Sequence, residues 1–166
     1  AVPNSFAEWM GREQKEGLVD FTIAHPPGYE LAEEFTDGTR INYNQHDALK
    51  DTDFIYVKNW SSYKQYGKII GENPNWMLTN KHLSYTNSAR VMHCLPVRRD
   101  LELSSEILDG SNSLVIQEAS NRVWAAQAVL SEIKNTSEKL HDNAQNILNW
   151  IKYQNNRINI NKTNVA

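Results

Sequence analysis

Residues 18–57 read LVDFTIAHPPGYELAEEFTDGTRINYNQHDALKDTDFIYV, in which short apolar runs alternate with short helical patterns. The runs are rich in β-branched and aromatic residues, which is typical of strands. We predict strands at residues 18–23, 40–43 and 53–57, with helices at residues 31–35 and 46–49 between them. Strands joined by single helices run parallel, because the crossover returns the chain to the same edge of the sheet.

The same alternation continues on both sides of this segment. Upstream, Ser5 and Glu8 fit a capping box for a helix that runs toward Lys15. Downstream, we predict strands at residues 89–94 and 113–116, and helices at residues 105–108 and from about Ser120. The pattern indicates an α/β fold, a doubly wound parallel sheet of the Rossmann-like three-layer type, in which ligands bind at the carboxyl ends of the strands.

Composition excludes several classes of protein. The chain has 166 residues, 40% of them hydrophobic and 22% charged, which is ordinary for one globular domain. A net charge of -3 offers no basic field for nucleic acid. Cys94 is the single cysteine, and no apolar run could span a membrane. We therefore expect a cytoplasmic protein without disulfides, nucleic-acid partners or membrane anchor, and the absence of a signal peptide at Ala1 fits a fragment.

The carboxyl-terminal part differs in character from the rest. Residues 135–166 are rich in Asn and Lys, yet their apolar side chains recur on one helical face between Leu140 and Ile151. We expect residues 135–166 to form an extra amphipathic helix followed by a disordered tail beyond Asn155, because that tail has little apolar surface to offset the entropy of ordering.

Two motifs lie at predicted strand ends: MHCLPVRR at residues 92–99 and EASNR at residues 118–122. A strand that ends before proline can leave backbone carbonyls free to hold an amine. Together the motifs resemble those of the carbamoyltransferases that act on ornithine and aspartate. The opening AVPNSFAEWM at residues 1–10 and VKNW at residues 57–60 resemble the branch that carbamoylates N-acylated ornithine. The resemblance covers residues 1–134.

The resemblance implies a C-terminal, amino-acid-binding domain whose first strand is missing. It places Cys94 and the Leu95 carbonyl beside the attacking amine, Arg122 on carbamoyl phosphate and Asn4 on the amino acid, with neither cofactor nor metal. The family's phosphate loop and His-Pro-x-Gln motif belong to an N-terminal carbamoyl-phosphate domain and do not occur in this sequence. The isolated chain is therefore expected to be inactive, whereas the complete family enzymes form trimers.

The loop Lys58-Asn59-Trp60 indicates which amino acid accepts the carbamoyl group. In the comparable loop, the ordinary ornithine enzymes carry an aspartate that receives the α-ammonium of ornithine. An N-acylated ornithine lacks that ammonium, and its carboxylate would pair with a cation such as Lys58 or Arg98. We expect succinylornithine ahead of acetylornithine, in arginine biosynthesis. The alternatives are an ordinary ornithine carbamoyltransferase and a non-catalytic fragment that retains amino-acid binding or assembly.

Each chosen residue also has a purely structural interpretation. Cys94 can be a small buried hydrophobe, and His93 a satisfied core histidine, so we assign His93 no proton transfer. Arg98 with Arg99 can form a solvated turn. A surface salt bridge to Glu118 would explain Arg122. A dinucleotide-binding domain fits the alternation of strands and helices, but no Gly-x-Gly-x-x-Gly turn is present.

Overall fold

The computed structural model describes residues 2–61 and 76–163, with side chains through residue 152. The chain divides into two compact units, Ala1–Ala119 and Ser120–Ala166. The first unit contains every described strand and all of the short helices, whereas the second consists of one long helix that begins within the first. The predicted boundary at residue 134 stays a prediction.

The described elements follow one another in the predicted order, except that one helix is added and the strand predicted at residues 113–116 is not formed. They are α1 (Val2–Lys15), β1 (Thr22–Ala24), a 3-10 turn (Glu33–Phe35), β2 (Arg40–Asn42), α2 (Gln45–Leu49), β3 (Phe54–Val57), α3 (Asn80–Leu83), β4 (Arg90–His93), α4 (Ser105–Leu108) and α5 (Val115–Thr163). Helix α3 is the addition. Thr79 and His82 form a capping box at its start.

All four strands pair in parallel, which confirms the predicted α/β class. Strand β1 pairs with β2, and β3 pairs with β4 in the register Phe54 to Arg90. Within the described residues these pairs form two separate two-stranded sheets. Val91 of β4 also forms a single bridge with Ser113, and a separate bridge joins Leu78 to Leu103.

The main core covers the second sheet. Its buried members come from the end of α2, the segment before α3, β4 and the α4 region, and they are Leu49, Leu78, Val91, Leu103 and Ile107. Ile55 and Val57 of β3 pack against this cluster. Because close packing fixes both strands, the loops that leave their carboxyl ends start from rigid supports.

Three local predictions differ from the structure. Ser5 lies inside α1, which begins at Val2, so it is not the N-cap; Pro3 suits the first helical turn because it needs no amide partner there. Residues 113–116 are not a strand, since only Ser113 bridges β4 and α5 begins at Val115. Helix α5 also continues to Thr163, past Asn155 where we predicted disorder.

Within the described residues, no helix is both long and apolar enough to cross a bilayer.

Candidate functional site

The β4 exit loop, residues 94–99, leaves the sheet directly after the buried His93. Leu95 adopts a φ of 52°, in the left-handed region that non-glycine residues seldom occupy, and the Leu95-Pro96 bond is cis. Cys94 is half-buried and has a free thiol. Leu95 is 36% exposed. The left-handed φ of Leu95 requires that surrounding contacts hold the Leu95 backbone in place, as is common where ligands bind.

His93 supplies one of those contacts. The Leu95 amide donates to His93 Nδ1 at 3.0 Å, so the ring proton resides on Nε2. Burial lowers the pKa of His93; the Glu102 carboxylate opposes this shift, and the Lys58 ammonium adds to it. A neutral His93 that accepts a backbone hydrogen bond orients the loop. This arrangement agrees with the structural role that the sequence favours.

Glu102 is a buried carboxylate beneath the same loop, with only 1% of its surface exposed. Its Oε1 accepts the Arg98 amide at 2.8 Å and lies 3.7 Å from His93 Nε2. Its Oε2 lies 3.4 Å from Arg98 Nε. Arg98 is therefore committed in part to an internal ion pair, which reduces the charge that it can offer to a ligand.

The side chain of Cys94 meets Tyr56 of β3. Burial raises the pKa of Tyr56 far above its usual range, and hydrogen bonds with Cys94 and Glu118 act in the same direction. Glu118 also accepts the His93 amide at 2.9 Å. The phenol therefore stays protonated beside the thiol, while Glu118 ties the start of α5 to the end of β4. These contacts make Cys94 part of a polar cluster, unlike an inert core residue.

The β3 exit loop, residues 58–61, lies against the β4 exit loop. Asn59 Nδ2 donates to the Pro96 carbonyl at 3.0 Å, and Trp60 Nε1 donates to the Leu101 carbonyl at 3.5 Å. The Trp60 ring also packs edge-on against Tyr29, at 5.1 Å between centroids. Two loops that the sequence assigned to one binding edge are thus joined by side-chain hydrogen bonds.

Lys58 is half-buried at the start of the β3 exit loop. Its Nζ donates to Asn59 Oδ1 at 3.2 Å, a neutral acceptor. In the part of the chain that the structure describes, Lys58 forms no ion pair. Its ammonium is close enough to His93 to lower the pKa of that ring. Within residues 2–61 and 76–163, the loops therefore carry a positive charge with no ion-pair partner beside residues 93–98.

Two other predicted site residues lie outside the two exit loops. Asn4 is half-buried in the first turn of α1. The neighbouring Phe6 stacks on Tyr56, with centroids 4.3 Å apart, so α1 reaches the ring that contacts Cys94. Arg122 is exposed on α5 within the second unit. The roles of Asn4 and Arg122 stay predictions.

Arg99 does not share the role of Arg98. It forms two hydrogen bonds with Asp109, at 2.7 and 2.8 Å, and both side chains are largely exposed. The interaction raises the pKa of Arg99 and lowers that of Asp109. The predicted solvated turn therefore describes Arg99, whereas Arg98 faces the buried Glu102.

The structure also has a cavity of about 350 Å³ where β2 ends. Its lining includes Tyr43, His46, Trp76 and His82, but none of the predicted site residues. The described residues contain no group of three or more His, Cys, Asp or Glu side chains suited to a metal. The chemistry that the sequence points to lies instead at the two exit loops.

Sequence reasoning missed Tyr56 and Glu102. Tyr56 lies within a strand, so its spacing from Cys94 depends on the register of β3 against β4. Glu102 follows a run of charges that suggests a solvated turn. The usable signal was its four-residue spacing from Arg98.

The sequence is similar to proteins of one known family. The family model for the aspartate/ornithine carbamoyltransferase Asp/Orn binding domain matches residues 14–133. The N-succinylornithine carbamoyltransferase of Bacteroides thetaiotaomicron is 42% identical over 135 residues, which is 80% of this chain and 41% of the relative. The ornithine carbamoyltransferase of Methanosarcina mazei is 32% identical over 126 residues, covering 69% of this chain and 42% of the relative.

Solved structures agree with the fold. Acetylornithine transcarbamylase complexed with acetylcitrulline matches at a TM-score of 0.61 and 24% identity, covering 69% of this chain and 40% of the other. At that identity the likeness establishes the fold alone. The chain spans about two fifths of the length of the curated relatives that it matches. Because the family model covers most of the chain, the chain belongs to the aspartate/ornithine carbamoyltransferase family and contains its Asp/Orn-binding domain.

Proposed function

We propose that this domain binds N-acylated ornithine, with succinylornithine preferred to acetylornithine, as the acceptor half of a carbamoyltransferase in arginine biosynthesis. The proposal rests on the Lys58 ammonium, which lies beside the β4 exit loop and, among the described residues, is hydrogen-bonded to the neutral amide of Asn59 and forms no ion pair. An acylated acceptor presents carboxylate and amide groups but no α-ammonium. Lys58 would attract such a head and repel free ornithine.

In the proposed reaction, the side-chain amine of the acceptor lies against the Leu95 carbonyl and Cys94. The amine nitrogen forms a bond to the carbamoyl carbon of carbamoyl phosphate, the bond from that carbon to the phosphate oxygen breaks, and phosphate leaves with the electron pair. The nitrogen then loses a proton. This chain would contribute positioning, since the left-handed Leu95 and its bond to His93 fix the carbonyl before the amine arrives.

The other assigned residues complete this proposal. Arg98 contributes a second cation, weakened by its pairing with Glu102. Asn4 would contact the amino acid, and Arg122 would bind carbamoyl phosphate, to which an arginine fork is suited. A carbamoyl-phosphate domain elsewhere in the complete protein and a trimeric assembly belong to the same proposal. The relatives named N-succinylornithine carbamoyltransferase support the choice of acceptor.

The test is a calorimetric titration of N-succinylornithine and free ornithine into the wild type, Lys58→Met and Lys50→Met. Lys50 is an exposed lysine outside both exit loops and serves as the matched control. Removing one charge-assisted contact should weaken N-succinylornithine binding roughly tenfold, with a smaller preference over ornithine. Lys50→Met should bind as the wild type does. Equal affinities in all three proteins would show that Lys58 does not choose the acceptor.

A further inference from the structure

The Cys94 thiol and the Tyr56 phenol lie on the same face of the second sheet. Strands β3 and β4 pair in the register Tyr56 to Met92, and Cys94 follows Met92 by two residues. Because side chains alternate along a strand, both polar groups lie on the face opposite the main core, against which Val57 and Val91 pack. The contact between thiol and phenol is therefore a product of the strand register.

Glu118 extends this contact to a chain of three side chains. Its carboxylate is hydrogen-bonded to the Tyr56 phenol, which is also hydrogen-bonded to the Cys94 thiol. The same carboxylate accepts the His93 amide at 2.9 Å, so it is fixed at the end of β4. The Phe6 ring stacks on Tyr56, with the centroids 4.3 Å apart. The phenol is therefore held between fixed neighbours.

The chemistry of the three groups sets the direction of their hydrogen bonds. A carboxylate can only accept, so the single proton of the phenol is donated to Glu118. The phenol oxygen then accepts, and the hydrogen that it accepts is the S–H of Cys94. Burial raises the pKa of Tyr56, so the phenol keeps the proton that this chain of bonds requires. The sulfur lone pairs of Cys94 consequently point away from Tyr56.

The orientation of the Cys94 sulfur matters for an amine that lies against it. A neutral primary amine attacks through its lone pair, so its two N–H bonds must be held in other directions. The Leu95 carbonyl can accept one N–H, and a sulfur that has already donated its own hydrogen can accept the other. The nitrogen lone pair is then free to face the carbamoyl carbon.

We propose that Tyr56 and Glu118 are positioning residues that turn the sulfur lone pairs of Cys94 toward the side-chain amine of the N-acylated ornithine, an inference that rests on the proposed function. In this arrangement neither residue touches the substrate, and both act through the thiol. A thiol without them would rotate about its C–S bond and present either its hydrogen or its lone pairs to the amine. The two residues thus remove the orientation that opposes attack.

The first experiment observes the thiol hydrogen directly, without substrate. Cys94 is the single cysteine, so the S–H stretching band in the infrared spectrum of the full chain reports this thiol alone. An S–H that donates a hydrogen bond absorbs at a lower frequency than a free one. Tyr56→Phe keeps the ring but removes the hydroxyl, and it should raise the lowered frequency of the wild type. A wild-type band at the free-thiol frequency, or a band that Tyr56→Phe leaves in place, would overturn the proposal.

Two further variants test the direction of the bonds. Tyr43→Phe removes the hydroxyl of an exposed tyrosine outside both exit loops, so it should leave the S–H band unchanged. Glu118→Gln keeps the size of the side chain but offers an amide that can donate to the phenol oxygen, which turns the phenol proton toward the sulfur. The S–H frequency should therefore rise in Glu118→Gln. An unchanged band in that variant would show that Glu118 does not set the direction.

The second experiment is a calorimetric titration with N-succinylornithine. Tyr56→Phe should bind it roughly two- to tenfold more weakly than the wild type, the effect of one neutral hydrogen bond, and Tyr43→Phe should bind it as the wild type does. Wild-type affinity in Tyr56→Phe, with the S–H band raised, would overturn the positioning role and leave the proposed function intact. A wild type with the lowered S–H band that does not bind N-succinylornithine would contradict the proposed function and, with it, the role assigned to the thiol.

Discussion

Glu102 fixes the β4 exit loop through a carboxylate that a neutral amide replaces only in part. Glu102→Gln keeps the size of the side chain but leaves Arg98 without its counter-charge. Losing this charge-assisted contact should lower the free energy of unfolding by about 1.5–3 kcal/mol. The loss is no larger because Arg98 is partly exposed and water can solvate its charge. Glu106→Gln, an exposed neighbour bonded to Asn80, should cost less than about 1 kcal/mol. Urea unfolding monitored by fluorescence measures both, and similar losses would refute the role of Glu102.

The buried His93 should make the stability of the protein depend on pH. Its folded-state pKa lies below the ordinary value of 6.5, chiefly because the ring is buried; the Glu102 carboxylate opposes this shift and the Lys58 ammonium adds to it. The unfolded chain therefore binds the extra proton first, and stability present above pH 6.5 is lost as the pH falls through the folded pKa.

The corresponding variant is His93→Asn, whose amide oxygen can still accept the Leu95 amide. Urea unfolding between about pH 7.5 and 5.5 should show a steeper loss of stability for the wild type than for the variant. Parallel pH profiles would mean that His93 does not bind a proton on unfolding in this range.

The roles of Lys58, Cys94, Leu95 and Arg98 stay predictions, which rest on strand ends, charge and the family resemblance. The structure does join the two loops that carry them, through Asn59 and Pro96. Prediction of the surrounding contacts was less complete. It fell short where burial decides the role. Glu102 and Arg99 both belong to one charged run, yet one is buried and the other is exposed. Sequence spacing carries no direct record of that difference.

At the scale of the elements, replacing two glycines with alanine should change stability in opposite directions. A Cβ at Gly110, after α4, would lie 2.7 Å from the Glu106 carbonyl oxygen, so the backbone would have to shift. In the interior of α1, a Cβ at Gly11 would meet Thr39 Oγ1 at 3.6 Å, an ordinary contact. Gly11→Ala should stabilise the protein by about 0.5–1 kcal/mol, whereas Gly110→Ala should destabilise it. Thermal unfolding measures both signs, and a stabilising Gly110→Ala would refute the close contact.

The predicted elements agree with the structure where the apolar residues follow one clear spacing, either that of a strand or that of a helix. Residues 53–57 and 89–94 contain β3 and β4, and residues 105–108 form α4. The run Leu114-Val115-Ile116 was predicted as a strand but is largely helical, because a short apolar run suits a buried strand and a helix start equally well. The helix that begins at Val115 instead places Glu118 on the His93 amide.

For the whole molecule, the matched region corresponds to the amino-acid-binding domain alone. We expect the 166-residue chain by itself to form no ureido product from carbamoyl phosphate and N-succinylornithine, because it lacks the family's phosphate-binding motifs. A colorimetric ureido assay of purified chain measures this against a heat-inactivated sample. Turnover above that control would show that these motifs are dispensable.

The central claim is that the two exit loops together receive an N-acylated ornithine. The most direct measurement is the change in backbone amide chemical shifts when N-succinylornithine or free ornithine is added to the labelled chain at one ionic strength. We predict that N-succinylornithine shifts amides of residues 58–60 and 94–98, and that ornithine at the same concentration shifts them far less. Equal shifts with ornithine, or shifts confined to the cavity beside Tyr43 and Trp76, would contradict the account.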